Sequence, residues 1–221
     1  MFSRFQRHLL SLATAMLATS AAHAAAPMIN EGFDNVGALA SQGWVMSNNS
    51  SPAGSTTWYQ DVQSPFMAMT SHDGASNSFI AANYDSASAG GMIDNWLITP
   101  TFSTAVGGTV TFWAQGAADA GYADTFKVGF SDGSSAIGAF TTGALVTATQ
   151  GTWTEYSFTF SGMGAGSVGR FAIEYTGAAD GSDMLGIDRL QIAAVPEPAT
   201  TLMLGVGLLG LAASRRRRAA R

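Results

Sequence analysis

The ionisable side chains of this 221-residue sequence allow few kinds of catalysis. The chain has no cysteine, which excludes thiol nucleophiles, disulfides and cysteine-based metal sites. His72, in the stretch "MTSHDGAS", is the only histidine after His23, and a single histidine favours neither a zinc site nor a serine–histidine–aspartate triad. Paired carboxylates remain as a catalytic option, because a glycoside hydrolase needs two acids roughly 5 to 10 Å apart across a sugar cleft.

The same carboxylates could instead bind Ca²⁺, which takes about six to eight oxygen ligands. No stretch matches an EF-hand loop, so the ligands would have to come from separate parts of the chain. Solvated turn carboxylates are the alternative. The candidates are Glu31, Asp34, Asp94, Asp119, Asp124, Asp180, Asp183 and Asp188.

Five tryptophans invite a carbohydrate-binding interpretation, because aromatic rings can stack on sugar faces. Trp113 lies on the polar side of an alternating run and is the first candidate for an exposed platform. Trp58 and Tyr59, in a loop rich in serine, threonine and glycine, are the second. Trp96 lies within an apolar strand and is predicted to be buried. Core packing is the alternative for each tryptophan.

Charge is distributed unevenly along the chain. Between residues 25 and 194, Lys127, Arg170 and Arg189 oppose 14 acids, which leaves this body with a net charge of −11. A body that acidic repels nucleic acid and anionic lipid surfaces, and it suits cations instead. The other basic residues lie close to the two ends of the chain.

The first 24 residues have the three parts of a secretory signal peptide. Arg4 and Arg7 precede an apolar stretch over residues 9–18, and small residues follow it. Ala22 and Ala24 occupy the positions of an A-x-A cleavage site, so the mature chain is predicted to begin near Ala25. A membrane anchor is the alternative, but the apolar stretch is short for a span.

Residues 195–221 combine a proline-flanked acid, an apolar run and a basic end. The run over residues 199–213 covers about 22 Å as a helix, against the ~30 Å of a bilayer core, and predicts a single short membrane-spanning helix. Cytoplasmic arginines would stop transfer and snorkel to the headgroups. These arginines are Arg215, Arg216, Arg217 and Arg218.

Pro196 and Pro198 keep the segment before that run extended, and a protease needs an extended backbone in its cleft. Together, the tail features resemble the PEP-CTERM sorting signal of exopolysaccharide-producing Gram-negative bacteria. The resemblance implies cleavage near the motif by a membrane exosortase after signal peptidase has acted. It also implies transient inner-membrane anchoring and delivery to the cell surface or extracellular matrix. The alternative is an ordinary single-span anchor. The matching motif residues are Val195, Pro196, Glu197 and Pro198.

The body over residues 25–194 alternates apolar and polar residues with period two. The clearest runs are "GTVTFWAQ", "DTFKVGFS", "TEYSFTFS", "GRFAIEYTG" and "IDRLQIA". Short alternating runs bounded by turn residues are typical of antiparallel sheets with one buried face. The sequence therefore predicts an all-β, two-sheet sandwich of jelly-roll type.

Two segments of this body, "DNWLITP" and "GIDRL", are its strongest resemblance to the choice-of-anchor J family, which is akin to cleaved-adhesin and MAM-like jelly rolls. The resemblance covers roughly residues 30–193. It implies a structural Ca²⁺ that ties the first strand to the last, with Glu31 and Asp188 as the chosen pair and Asp94 as a third ligand. The acidic doublet often seen in the last strand is Asp188-Arg189 here.

These features predict an exported, non-catalytic protein of the cell surface or matrix, with an adhesin-like or carbohydrate-binding sandwich. Exopolysaccharide is a candidate partner, and nucleic acid is not. The alternative is a carbohydrate-active enzyme on the same fold. A concave cleft holding two close carboxylates beside aromatic rings would favour the enzyme.

Overall fold

The computed structural model describes residues 28–60 and 69–195. The predicted signal helix, the membrane-spanning helix and Pro196 onwards in the sorting motif lie outside these residues. Within the described ranges, no helix is long and apolar enough to cross a membrane.

The described chain is almost entirely β-structure, with four short 3₁₀ turns at Val36–Gln42, Tyr84–Ser86, Ile137–Ala139 and Ala179–Gly181. The strands are β1 (Ile29–Glu31), β2 (Val45–Asn48), β3 (Ser51–Ala53), β4 (Tyr59–Gln60), β5 (Ile80–Asn83), β6 (Ala87–Ile98), β7 (Phe102–Ser103), β8 (Gly108–Gly116), β9 (Thr125–Ser131), β10 (Thr141–Thr142), β11 (Val146–Thr147), β12 (Thr154–Phe160), β13 (Val168–Ala178) and β14 (Met184–Ala194).

These strands form two antiparallel sheets, which confirms the predicted sandwich. One sheet has the order β12-β8-β14-β5-β4, with β1 added to β14. The other has the order β10-β9-β13-β6-β2, and β11, β3 and β7 pair with β9, β6 and β13. Because β1 pairs with β14, the two ends of the body meet on neighbouring strands.

An aromatic cluster fills the space between the sheets. The fully buried Phe112 ring lies at its centre, with its centroid 5.8 to 6.0 Å from those of four other rings. This confirms the predicted alternation in β8, since Phe112 faces the core and Trp113 the opposite side. The surrounding rings are Phe126, Tyr156, Phe158 and Phe171.

A β-bulge keeps the last strand in register with the core. The pairing of β14 with β8 shifts between Asp188 and Gln191, and Arg189 adopts a left-handed φ of 48°. The extra residue lets Ile187 and Leu190 both point into the core, while Asp188 stays on the outer face. The sequence predicted the alternation of the run "IDRLQIA" but not the bulge within it.

Candidate functional sites

Asp188 anchors a loop across the outer face of the six-stranded sheet. Its carboxylate accepts the N–H of Asp73 over 3.0 Å and that of Arg189 over 2.7 Å. Burial raises the pKa of Asp188, and these backbone donors partly oppose that rise. Asp188 also lies directly opposite Trp113 in the ladder, so the two side chains share one face of the sheet.

Glu31, the predicted partner of Asp188, lies at the end of β1 on the neighbouring strand. Its Oε1 accepts the N–H of Phe33 over 2.7 Å, and burial raises its pKa. The structure thus brings Glu31 and Asp188 onto adjacent strands. Each carboxylate already accepts backbone donors.

Asp94 does not join this pair, and its prediction as a third ligand is wrong. It lies on β6 in the eight-stranded sheet, where its carboxylate accepts the side-chain N–H groups of Asn49, over 2.6 Å, and Trp96. Across residues 28–60 and 69–195, no three His, Cys, Asp or Glu side chains are arranged to hold a metal ion. Ca²⁺ binding by Glu31 and Asp188 stays a prediction.

The first predicted sugar platform is partly covered. His72 stacks on the half-buried Trp113, with ring centroids 3.8 Å apart and planes at 15°. Trp153 holds the same loop, since its Nε1 donates to the carbonyl of Thr70 over 2.8 Å. Met69, at the start of this described segment, packs against Gly186 of the sheet, where a Cβ would come too close to Met69 Sδ unless that side chain moved.

The second predicted platform is wrong for Trp58. Its side chain is only 3% exposed and belongs to the core between the sheets. Tyr59 is half-buried, and its hydroxyl donates to Met184 Sδ over 3.6 Å. Trp96 is buried as predicted, in a small cluster with Ile98 and Ala172.

A concave site that sequence reasoning did not assemble lies among the turns before β6, β9 and β14. This acidic pocket, as we call it, has a volume of about 530 Å³ and is lined by four carboxylates and two tyrosines, with no basic side chain among its lining residues. The six residues are Asp85, Asp119, Asp180, Asp183, Tyr84 and Tyr122. The sequence named Asp119, Asp180 and Asp183 only as separate calcium candidates.

Asp183 is the buried carboxylate of the acidic pocket. It is 7% exposed, and burial, a hydrogen bond with the Asp119 carboxyl and the charge of Asp124 raise its pKa to about 6. Behind it, the fully buried Asp124 accepts the Tyr175 hydroxyl over 2.6 Å and the Asp183 N–H over 3.0 Å, both on Oδ1. Among the described residues, no donor reaches the Oδ2 atom of Asp124 or of Asp183.

Comparison with known sequences identifies the tail. Residues 194–218 match the PEP-CTERM protein-sorting motif. Such a motif implies export, sorting to the cell surface and processing by an exosortase. No curated protein sequence matches this chain.

Comparison with solved structures identifies the fold of the body. The K1 cleaved adhesin domain of Lys-gingipain from Porphyromonas gingivalis W83 superposes with a TM-score of 0.55 at 22% identity, covering 76% of this chain and 98% of that chain. The K3 domain of the same protein also gives 0.55, at 20% identity, covering 76% and 97%. This chain therefore carries a PEP-CTERM protein-sorting motif behind a β-sandwich with the fold of cleaved adhesin domains.

Proposed function

We propose that this is an exported protein of the cell surface or extracellular matrix, whose β-sandwich is a binding module rather than an enzyme. The observation that carries the proposal is the junction between the body and the tail. The last strand ends at Ala194, and the sorting motif match begins at that residue. The cleavage signal thus starts where the folded body stops, so removal of the tail leaves every strand in place.

The acidic pocket gives the enzymatic alternative its one specific observation. It combines close carboxylates, tyrosine rings and a carboxyl group, Asp183, whose pKa is raised to about 6. However, Asp183 and Asp119 are in hydrogen-bond contact, whereas glycoside hydrolases hold their two acids roughly 5 to 10 Å apart to flank the scissile bond. Asp183 and Asp119 therefore do not have the spacing of a hydrolase pair. Sugar contact through Trp113 and Tyr59 stays a prediction.

The experiment that tests the proposed function is protease treatment of intact cells. Because the body should lie outside the cell, added protease should digest it without lysis. A matched variant that lacks residues 2–24 should stay inside and be protected until the cells are broken. Protection of the unaltered protein in intact cells would contradict its delivery to the cell surface.

A structural Ca²⁺ between Glu31 and Asp188 is part of the proposal and has its own test. An ion that binds only the folded state adds about 2.7 kcal/mol at a concentration 100 times its Kd. We therefore expect the melting temperature to fall with a chelator and to recover with added Ca²⁺. Glu31→Gln should abolish this response, and Asp94→Asn, an Asp-to-Asn change on the other sheet, should keep it. Equal melting temperatures with chelator and with Ca²⁺ would exclude the site.

A further inference from the structure

We propose that the acidic pocket binds an organic cation, through the protonated amine or guanidinium group of a ligand. The inference rests on the proposed binding function in treating the sandwich as a binding module, and it adds the chemical class of the ligand. It is argued from the charge balance of the body, from one buried carboxylate and from the size and lining of the pocket.

No positive charge within the described body serves the acidic pocket. Lys127 pairs with Glu174 at 3.3 Å, and Arg189 pairs with Asp73 at 3.0 Å. Arg170 donates to the backbone carbonyls of three other residues, namely Gly133, Gly43 and Thr99. These three are the basic residues of the described ranges, and none of them pairs with a carboxylate of the pocket.

Asp183 is the acid of the pocket that a positively charged ligand would stabilise most, because it is buried. The residue is only 7% exposed and lines the pocket, and among the described residues no N–H or O–H group donates to its buried Oδ2 atom. A buried carboxylate whose contact is another carboxyl group is unfavourable when it is ionised, because no positive group replaces its lost hydration. The neighbouring carboxyl of Asp119 adds repulsion rather than a partner once both groups are ionised. A cationic ligand in the pocket would offset the charge of this carboxylate.

The lining adds a second means of holding a cation. Tyr84 and Tyr122 are 40% and 44% exposed, and both line the pocket. Tyrosine rings attract ammonium and guanidinium groups through their negative faces. Carboxylates beside exposed rings therefore suit a cation that also has an organic part.

The volume of the acidic pocket favours an organic cation over a metal ion. The volume of about 530 Å³ lies within the range of roughly 300 to 1,000 Å³ that is usual for small organic ligands. In the part of the chain that the structure describes, no three acidic or histidine side chains are arranged around a metal position. The pocket is therefore large enough for a cation with an organic part.

The test is calorimetric titration of the purified full chain at pH 7.5 with pairs of probes that differ in charge. Glucosamine against N-acetylglucosamine represents an amino sugar. Nα-acetyl-lysine methylamide against its Nε-acetylated form represents a basic protein side chain. We expect the charged member of at least one pair to bind at least tenfold more tightly than its neutral partner, and the pair that shows this identifies the source.

Matched variants locate the site. Asp183→Asn should weaken binding of the charged probe at least tenfold, and Asp119→Asn, which removes an exposed carboxylate of the lining, should also weaken it. Asp132→Asn is the control, because it removes one exposed acid outside the pocket lining. It should leave the affinity unchanged.

Several results would overturn the inference. These are equal affinity for charged and neutral probes, unchanged binding by both Asp183→Asn and Asp119→Asn, or stoichiometric Ca²⁺ binding that depends on Asp183 without binding of any amine. A protein that is digested on intact cells but binds no amine contradicts the pocket alone. A protein that binds amines but never leaves the cell contradicts the proposed export alone.

Discussion

Replacing Pro196, Glu197 and Pro198 with three alanines is expected to leave export intact and to block loss of the C-terminal tail almost completely. The Val195 N–H donates to the Gly107 carbonyl over 3.0 Å, so the folded body reaches residue 195 and the motif follows at once. The prolines prevent this segment from joining the apolar helix predicted after it. Alanines would let that helix extend towards the body and would remove the extended, charged element that a protease could bind.

The measurement is the size and membrane fraction of the protein in cells that contain the exosortase. The alanine variant should accumulate uncleaved in the inner membrane, and deletion of the exosortase should give the same accumulation. Thr200→Ala with Thr201→Ala is the control, because it alters the neighbouring tail and keeps the motif. If the alanine variant still lost residues 199–221, sorting through this motif would be refuted.

Phe112→Ala is expected to lower the free energy of unfolding by about 3 to 5 kcal/mol. The ring is fully buried and contacts aromatic side chains from both sheets, which include Phe158 of β12 and Phe171 of β13. Its removal would leave a cavity at the point where the sheets meet, and close-packed neighbours can fill such a cavity only in part. The fold should survive, because the strand ladders do not depend on this side chain.

Urea unfolding followed by fluorescence measures this loss. Phe140→Ala makes the same chemical change at a half-buried ring that packs on Trp96 in a separate cluster, and it should lower the stability by much less. Equal losses for the two variants would show that the aromatic cluster between the sheets is not the main core of the sandwich.

The strands could be predicted from the sequence because their signal is local. Alternation of Val110 and Phe112 with Thr111 and Trp113 fixes which face each side chain takes, and the structure keeps that assignment. Trp58 shows the limit of the same reasoning. Its polar neighbours predict a loop, but loop composition does not report whether one large side chain turns inward, and this one fills the core.

The candidate sites were harder to predict because they depend on contacts far apart in the chain. Asp119 and Asp183 are separated by 64 positions and meet only because the turns before β9 and β14 close over one end of the fold. Asp94 was predicted to bind the same Ca²⁺ as Asp188, but the strand topology places the two residues on different sheets. The sequence could identify these acids as candidates from their residue type. Which of them lie close together depends on the order of the strands, which the sequence does not show.

The central claim is that this chain is an exported sandwich with two removable ends, and intact-mass measurement of the protein recovered from the cell surface tests it most directly. The account predicts a chain that begins near Ala25 and ends near the motif, without the apolar run and the arginines. Recovery of a surface protein that still carries residues 1–24, or that retains its arginine tail, would contradict the account.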